Sequence, residues 1–237
     1  MGEMPMGAKG RRMVIDCHVH VCAFGGGHGW TSDHLLKTLP FRFMRWRLGL
    51  KGADARTERA LEAKLLALLE GTPSLDAAVV LAFDAVHDEE GRLDEANTHL
   101  YVKNDYVAGL ARDHSNILFG ASVHPYRKDA VAELERCVGM GAVLLKWLPI
   151  VQDFDPADER CIPFYEALAH HKLTLLCHTG GEKSLPNLRQ SAADPMLLVP
   201  ALKRGVRVIG AHCGTRSAFG EIDYLPQWVT LAKEFST

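Results

Sequence analysis

Val14-Ile15-Asp16-Cys17-His18-Val19-His20-Val21 is the stretch that decides the fold of this chain. It is apolar and rich in β-branched residues, which is typical of a β-strand. Because side chains alternate along a strand, His18 and His20 are predicted on one face with Asp16, and Cys17 on the other. Two neutral imidazoles one strand repeat apart are suitable ligands for a zinc-like ion. A single His-x-His also occurs among hydrogen-bonded core histidines, so the later strands must decide between these interpretations.

Length and composition indicate a single domain over residues 1–237. The chain approaches the roughly 250 residues typical of an α/β barrel. Its formal net charge is −2 with both signs mixed, which gives no electrostatic reason to expect nucleic acid as a partner. No apolar run is long enough to span a bilayer, and the first residues do not resemble a signal sequence, so no membrane association is expected. Six cysteines without a Cys-x-x-Cys pair indicate reduced thiols and a cytoplasmic protein.

Apolar strands and amphipathic helices alternate after the first strand. Further strands are predicted over residues 77–83, 117–123, 142–145, 173–177 and 206–211. Helices are predicted over residues 57–69, 93–113, 130–138, 158–170, 195–203 and 225–235. This order predicts a parallel sheet covered by helices, an α/β fold. The absence of Gly-x-Gly-x-x-Gly after the first strand favours a barrel over an open nucleotide-binding sheet.

Residues 24–75 form an insertion after the first strand that contains a Gly-rich loop and the helix over residues 57–69. Within the insertion, residues 41–50 mix aromatic side chains with Arg42, Arg45 and Arg47. Such a mixture can contact nucleic acid or an anionic substrate. A helix with one buried face is the preferred interpretation.

Side chains capable of chemistry follow almost every predicted strand. These are Asp84, His124, Lys146, His178 and His212, in addition to the first-strand histidines. Barrels of this kind build their active sites at the C-terminal ends of the strands. Four imidazoles that converge there would be costly to bury without a shared purpose, so the pattern predicts a metal site. An open coordination position on such a metal suits a hydrolase.

Together these motifs resemble the amidohydrolase superfamily. They are Asp-x-His-x-His on the first strand, Lys146 after the fourth, His178 ending the fifth and His-x-Gly after the sixth. Leu-Cys-His-Thr-Gly-Gly at residues 176–181 and Gly-Ala-His-Cys-Gly at residues 210–214 resemble, more narrowly, its amidohydrolase-related branch of metal-dependent hydrolases. The resemblance extends from about residue 14 to residue 214.

The resemblance implies a distorted TIM-type barrel with a divalent ion, most readily zinc, held by His18, His20 and His178. It places His212 near the metal or its water, so that His212 and Lys146 are the catalytic candidates. It implies metal-dependent hydrolysis of an amide, ester or lactone in a small-molecule substrate, with non-oxidative decarboxylation as the alternative. Lys146 is interpreted as a plain lysine that holds a substrate carboxylate. A carbamylated lysine bridging two metals and a strand-end lysine reaching solvent stay open.

The remaining polar candidates have simpler explanations. Asp16 is expected to orient a ligand histidine or a loop, and Cys17 to point away from the pore and pack as a small hydrophobe. His124 can reach a substrate or merely shape the turn before Pro125. Arg216 is expected to be a solvated loop residue.

Only six of the eight strands implied by the resemblance are present in the sequence. In the family, the eighth strand ends in an aspartate that ligates the metal and acts as general base, and Asp223 lies in the wrong place to replace it. We therefore expect an incomplete (β/α) barrel, six of eight units, whose edges are the first and sixth strands. Poor solubility and low turnover would follow, with an inactive metal-binding fragment as the alternative to an enzyme. Homo-oligomerisation stays open.

Overall fold

Residues 12–235 are described in the computed structural model, and their strands form two sheets. The strands are β1 (Ile15–His20), β2 (Gly29–Thr31), β3 (Ala77–Leu81), β4 (Leu100–Val102), β5 (Ile117–Ala121), β6 (Leu144–Trp147), β7 (Thr174–His178) and β8 (Val208–Ala211). The larger sheet is parallel with six strands in the order β1-β3-β5-β6-β7-β8. It curls into an incomplete TIM barrel, which confirms the predicted fold class. β2 and β4 pair antiparallel as a small second sheet.

The connections of the large sheet are mostly helical, as the alternating pattern predicts. The helices are α1 (Asp33–Lys37), α2 (Leu39–Arg47), α3 (Ala55–Glu70), α4 (Asn104–Asp113), α5 (Ala130–Gly139), α6 (Pro149–Gln152), α7 (Ile162–His170), α8 (Val199–Lys203) and α9 (Leu225–Phe235). The helix predicted over residues 93–113 is wrong in its first half. Leu100 and Val102 are buried on either side of Tyr101 because this segment is β4 and pairs with β2.

Two apolar clusters hold the sheet. The larger lies between the sheet and the helices and includes Phe119, Leu134, Trp147 and Tyr165, all fully buried. The indole of Trp147 donates to the carbonyl of Val123 at 2.7 Å, so its one polar atom is paired. The smaller cluster fills the inside of the curl below the strand ends, with Val79, Leu81, Leu144, Leu176 and Ala211.

Cys17 belongs to this inner cluster, so its predicted direction is wrong. The pairing of β1 with β3 shifts register between Asp16 and Val19, which breaks the simple alternation of side chains. Cys17 is therefore turned inward against the inner cluster, and Val19 packs on the outer one. The expectation that Cys17 packs as a small hydrophobe is confirmed.

Both edges of the curled sheet are unpaired within residues 12–235. β1 pairs with β3 alone and β8 with β7 alone, as the missing units predict. Ile209 on β8 is 39% exposed. An accessible apolar edge strand is a template for association with another chain.

We expect Ile209→Lys to reduce self-association of the 237-residue chain several-fold, because a charge on an edge strand opposes edge-to-edge pairing. Sedimentation velocity and light scattering over a concentration series would measure it. Val143→Lys is the matched control, since Val143 is similarly exposed at 44% but precedes β6, which is paired on both sides. Equal reduction by both variants would contradict a role of the β8 edge.

Candidate metal centre

A cavity of about 740 Å³ opens at the C-terminal ends of the parallel strands. Strands β1, β6 and β7 and the turn after β8 each contribute to it. All five predicted site residues line this cavity: His18, His20, Lys146, His178 and His212. The parallel order explains the convergence, because the C-terminal ends of all six strands lie on the same side of the sheet. The volume is in the range of small-molecule sites.

His18 and His20 are placed to chelate. Their Nε2 atoms lie 3.1 Å apart. Two imidazole nitrogens bound to one tetrahedral zinc at 2.0–2.1 Å are separated by about 3.3 Å, so the observed spacing suits a shared ion. Asp16 accepts a hydrogen bond from the backbone N–H of His18 at 3.0 Å. Asp16 thus orients His18 through its backbone and leaves the ring free.

His178 and His212 are the other two histidines of the site, but their ring nitrogens do not converge with those of His18 and His20 on one metal position. Their ring centroids lie 4.8 Å apart, and that of His212 lies 5.3 Å from that of His18. His178 Nε2 lies 3.2 Å from the carbonyl oxygen of Gly181, to which it can donate. Within residues 12–235, no group of three or more His, Cys, Asp or Glu side chains is arranged to hold a metal ion. A third ligand from His178 would require that ring to leave Gly181.

Lys146 is buried within the site. Its side chain is only 1% exposed, and its Nζ lies 3.3 Å from Nε2 of His18. No carboxylate in the described part of the chain forms an ion pair with it. Burial lowers the pKa of Lys146 to about 8. The alternative of a lysine reaching solvent is therefore wrong.

The histidines of the site favour the neutral form. Burial, followed by the charge of Lys146, lowers the pKa of His18 to about 4 and that of His178 to about 3. The same two causes lower the pKa of His212. His20 is exposed toward the cavity, but many protein atoms surround its ring. This burial, followed by the charge of Lys146, lowers the pKa of His20 well below its ordinary value. Neutral imidazoles are the form that binds a metal.

Glu182 is a site residue that the sequence analysis missed. It lines the cavity, and its Oε2 lies 3.9 Å from Nδ1 of His178. Its Oε1 accepts hydrogen bonds from the backbone N–H groups of Ser184 and Leu185, which fix its position on the loop after β7. Among the described residues that line the cavity, it is the one carboxylate. Its place four residues after His178 in His-Thr-Gly-Gly-Glu was the available signal.

The other predicted polar residues divide between the cavity rim and the scaffold. Arg216 is exposed, as expected of a solvated loop residue, and also lines the cavity. His124 is buried with Nε2 2.7 Å from the carbonyl of Gln152 and does not line the cavity. Asp84 is buried as well, where it accepts from the backbone of His124 at 2.7 Å and pairs with Arg127 at 3.3 Å. His124 and Asp84 therefore brace the strand-end loops.

The rest of the cavity wall combines apolar residues with the hydroxyl-bearing Ser184, Thr215 and Ser217. Its large apolar residues are Phe41, Met44, Phe83, Leu100, Leu148 and Leu185. Lys146 and Arg216 are cationic lining residues, while Lys183 is paired with Glu221 at 2.9 Å. The cavity thus combines apolar surface with an excess of positive charge.

The family described as amidohydrolase matches residues 15–232, which is most of the chain. The chain belongs to the amidohydrolase family. No curated protein matches this amidohydrolase. None of the helices in residues 12–235 is long and apolar enough to cross a membrane.

Solved structures share its fold at low sequence identity. An uncharacterised TIM-barrel protein from Bordetella bronchiseptica is 16% identical with a TM-score of 0.64, over 94% of this chain and 72% of its own. A candidate 2-pyrone-4,6-dicarboxylic acid hydrolase from Pseudomonas putida is 14% identical with a TM-score of 0.53, over 92% and 64%. A 5-carboxyvanillate decarboxylase variant from Novosphingobium aromaticivorans, with bound manganese, is 15% identical with a TM-score of 0.51, over 96% and 71%. The amidohydrolase chain thus spans between about two thirds and three quarters of these structures.

The loops after β7 and β8 pack too closely at Gly180 for any side chain. Gly180 has φ +89°, and a Cβ there would lie 2.2 Å from the carbonyl oxygen of Thr215. We expect Gly180→Ala to lower the free energy of unfolding by roughly 1–3 kcal/mol more than Gly205→Ala. Gly205 is the matched control because its φ is +77° but no atom lies within 4 Å of its Cβ position. Urea denaturation would measure both, and equal losses would contradict the close packing of the two loops.

Proposed function

We propose that this amidohydrolase is a metal-dependent hydrolase that attacks a carbonyl carbon of a small substrate. The observation that carries the proposal is the pair of His18 and His20, with Nε2 atoms 3.1 Å apart at the floor of the cavity. Two imidazoles held at this spacing in neutral form match the donor chemistry of a divalent ion. The manganese in one structure of similar fold supports a divalent metal without fixing its identity.

The metal would be held by His18 and His20, with His178 as third ligand once its ring leaves the Gly181 carbonyl. Zinc is the first expectation, because imidazole suits it, and manganese is the second. Bound there, a divalent ion would polarise a substrate carbonyl and make a nearby water more acidic. His212 faces the same space and can donate to, or accept from, a group on the reacting carbon.

The cationic side of the cavity favours an anionic substrate. Lys146 is enclosed and forms no ion pair with a carboxylate of residues 12–235, and Arg216 is an exposed residue of the cavity lining. A substrate carboxylate between them would complement both, and the apolar wall would pack against its carbon skeleton. The proposed substrates are therefore small carboxylic acids with a partly apolar body and a hydrolysable amide, ester or lactone.

Glu182 supplies the carboxylate that the sequence analysis could not find for proton transfer. It is tethered by two backbone N–H groups and lies beside His178. A carboxylate at the edge of the cavity can accept the proton of an attacking water and return it to the leaving group. Lys146, as the carboxylate anchor, would fix the substrate relative to it.

Non-oxidative decarboxylation is the second candidate function. The burial of Lys146 beside the histidine pair favours it, since a cation there holds a carboxylate directly at the proposed metal. Two assays distinguish the reactions. A decarboxylase would release CO₂ from aryl carboxylates, whereas a hydrolase would produce acid from esters and lactones.

We expect the chain to retain about one tightly bound divalent ion and His18→Ala/His20→Ala to retain almost none. Elemental analysis after loading with zinc or manganese and gel filtration measures this. His170→Ala/His171→Ala is the control, since it also removes two neighbouring imidazoles, with ring centroids 4.9 Å apart, outside the cavity. Unchanged metal content in the first variant would refute the ligand assignment. Two ions per chain, with a carboxyl mass added to Lys146, would replace the single-ion site by a carbamylated one.

We expect Glu182→Gln to lower kcat by roughly 100- to 10,000-fold on the best substrate of a panel of esters and lactones, because the amide cannot accept the proton. Metal content should stay at the wild-type value. Glu166→Gln on α7 removes an exposed carboxylate away from the cavity and should leave kcat unchanged. A Glu182→Gln protein with wild-type kcat would exclude Glu182 as the base.

A further inference from the structure

One face of α2 is apolar and open to solvent. Leu39, Phe43 and Trp46 follow each other at positions i, i+4 and i+7, which places them on one side of a helix. Their exposed fractions are 77%, 61% and 71%. The rings of Phe43 and Trp46 contact each other with centroids 5.7 Å apart. The predicted buried face is therefore wrong for most of α2, since only Phe41 is buried there.

The same segment carries a local concentration of positive charge. Residues 37–51 contain five basic residues and no acidic one, although the whole chain has a net charge of −2. Arg42 and Arg47 are exposed and form no ion pair with the described carboxylates. Arg45 donates to the carbonyl of Gly52 and closes the turn after the helix. We call residues 37–51 the basic-aromatic segment.

We propose that the basic-aromatic segment binds the surface of a bilayer that contains anionic lipids. A basic amphipathic helix with aromatic and aliphatic side chains lies in the plane of such a surface, and its arginines attract the acidic headgroups. α2 has nine residues and is about 13 Å long. It is therefore an interfacial element, which agrees with the absence of a spanning helix in residues 12–235.

Charge and chemistry favour a lipid surface over the other occupants of this face. In a two-fold symmetric dimer with this segment at its axis, the segment would meet its own copy, and the two arrays of exposed arginines would repel each other. The phosphates of a nucleic acid would pair with the arginines, but they would offer no apolar contact to Leu39 at the start of the exposed stripe. An anionic bilayer accepts both parts, since acyl chains receive the apolar side chains and headgroups receive the charges.

α2 also forms part of the cavity wall. Phe41 and Met44 line the cavity, and with 3.6 residues per turn they lie on the side of the helix opposite Leu39, Phe43 and Trp46. A bilayer bound to the exposed stripe would therefore cover the outer side of a helix whose inner side contributes to the cavity.

Vesicle cosedimentation of the full chain tests the proposal. Binding is expected to phosphatidylcholine vesicles that contain phosphatidylglycerol, to weaken with added salt and to be absent on phosphatidylcholine alone. Arg42→Gln/Arg47→Gln should weaken the partition coefficient about 30-fold, from two arginine contacts with an anionic surface. Phe43→Ser/Trp46→Ser should remove most of the binding. Lys203→Gln/Lys233→Gln, which removes two exposed charges on α8 and α9, should leave it unchanged.

Trp46 provides a second measurement. Anionic vesicles should shift the tryptophan emission of the wild-type chain to shorter wavelength, and the shift should be lost in Trp46→Phe. Circular dichroism checks that every variant is folded. Absent vesicle binding would overturn the proposal, as would equal binding by the α2 variants and the lysine control. DNA or RNA binding that the α2 variants abolish, without vesicle binding, would assign the surface to nucleic acid. A dimer that Phe43→Ser/Trp46→Ser dissociates would assign it to a second copy.

Discussion

The ammonium group of Lys146 is buried at the C-terminal end of β6, and within residues 12–235 no carboxylate forms an ion pair with it, although the charge of Glu182 acts on it across the cavity. An unpaired buried charge costs several kcal/mol, and part of that cost appears as the lowered pKa of the group itself. Burial, followed by this charge, lowers the pKa of His18, His20, His178 and His212, so the imidazoles around Lys146 favour the neutral state. Neutral imidazoles keep their lone pairs available to a divalent metal, although the neighbouring ammonium repels any cation that approaches. The parallel sheet favours this arrangement, because the C-terminal ends of all its strands lie on the same side.

The sheet and the convergence of the site could be predicted from sequence because both follow from local patterns. Each buried strand is a short apolar run, and each predicted site residue comes within a few positions of the end of one. Parallel order then determines where those ends lie. The structure differs from the prediction where tertiary contacts override the local sequence pattern. The irregular pairing of β1 with β3 turns Cys17 inward. Residues 100–102, which the sequence pattern predicts as helix, pair with β2 in a second sheet. Neither contact leaves a signal within a single segment.

The position of Glu182 and the exposed face of α2 could not be predicted from the sequence for a different reason. Glu182 lies in the loop after β7, and its position in sequence does not determine where its side chain points. In the structure, hydrogen bonds from the backbone N–H groups of Ser184 and Leu185 fix it near His178. For α2 the sequence pattern was consistent with either a buried or an exposed aromatic face. Burial depends on which surface the insertion reaches, and here the helix contacts the cavity wall through Phe41 and Met44 only. Of the aromatic residues in this segment, Phe41 is buried, whereas Phe43 and Trp46 face solvent.

The position of Lys146 also relates metal binding to substrate binding. An imidazole nitrogen has one lone pair, and Nε2 of His18 faces the Lys146 ammonium at 3.3 Å. A metal bound to that nitrogen would deprive the ammonium of this neighbour and add positive potential next to a group already short of partners. A substrate carboxylate would relieve both, since it can accept from Lys146 and lie beside the metal at the same time. A buried ammonium already favours an anion, and a metal bound beside it would increase that preference. Lys146 would in this way couple the binding of the proposed metal to that of an anionic substrate, whereas a lysine reaching solvent would be screened from the metal.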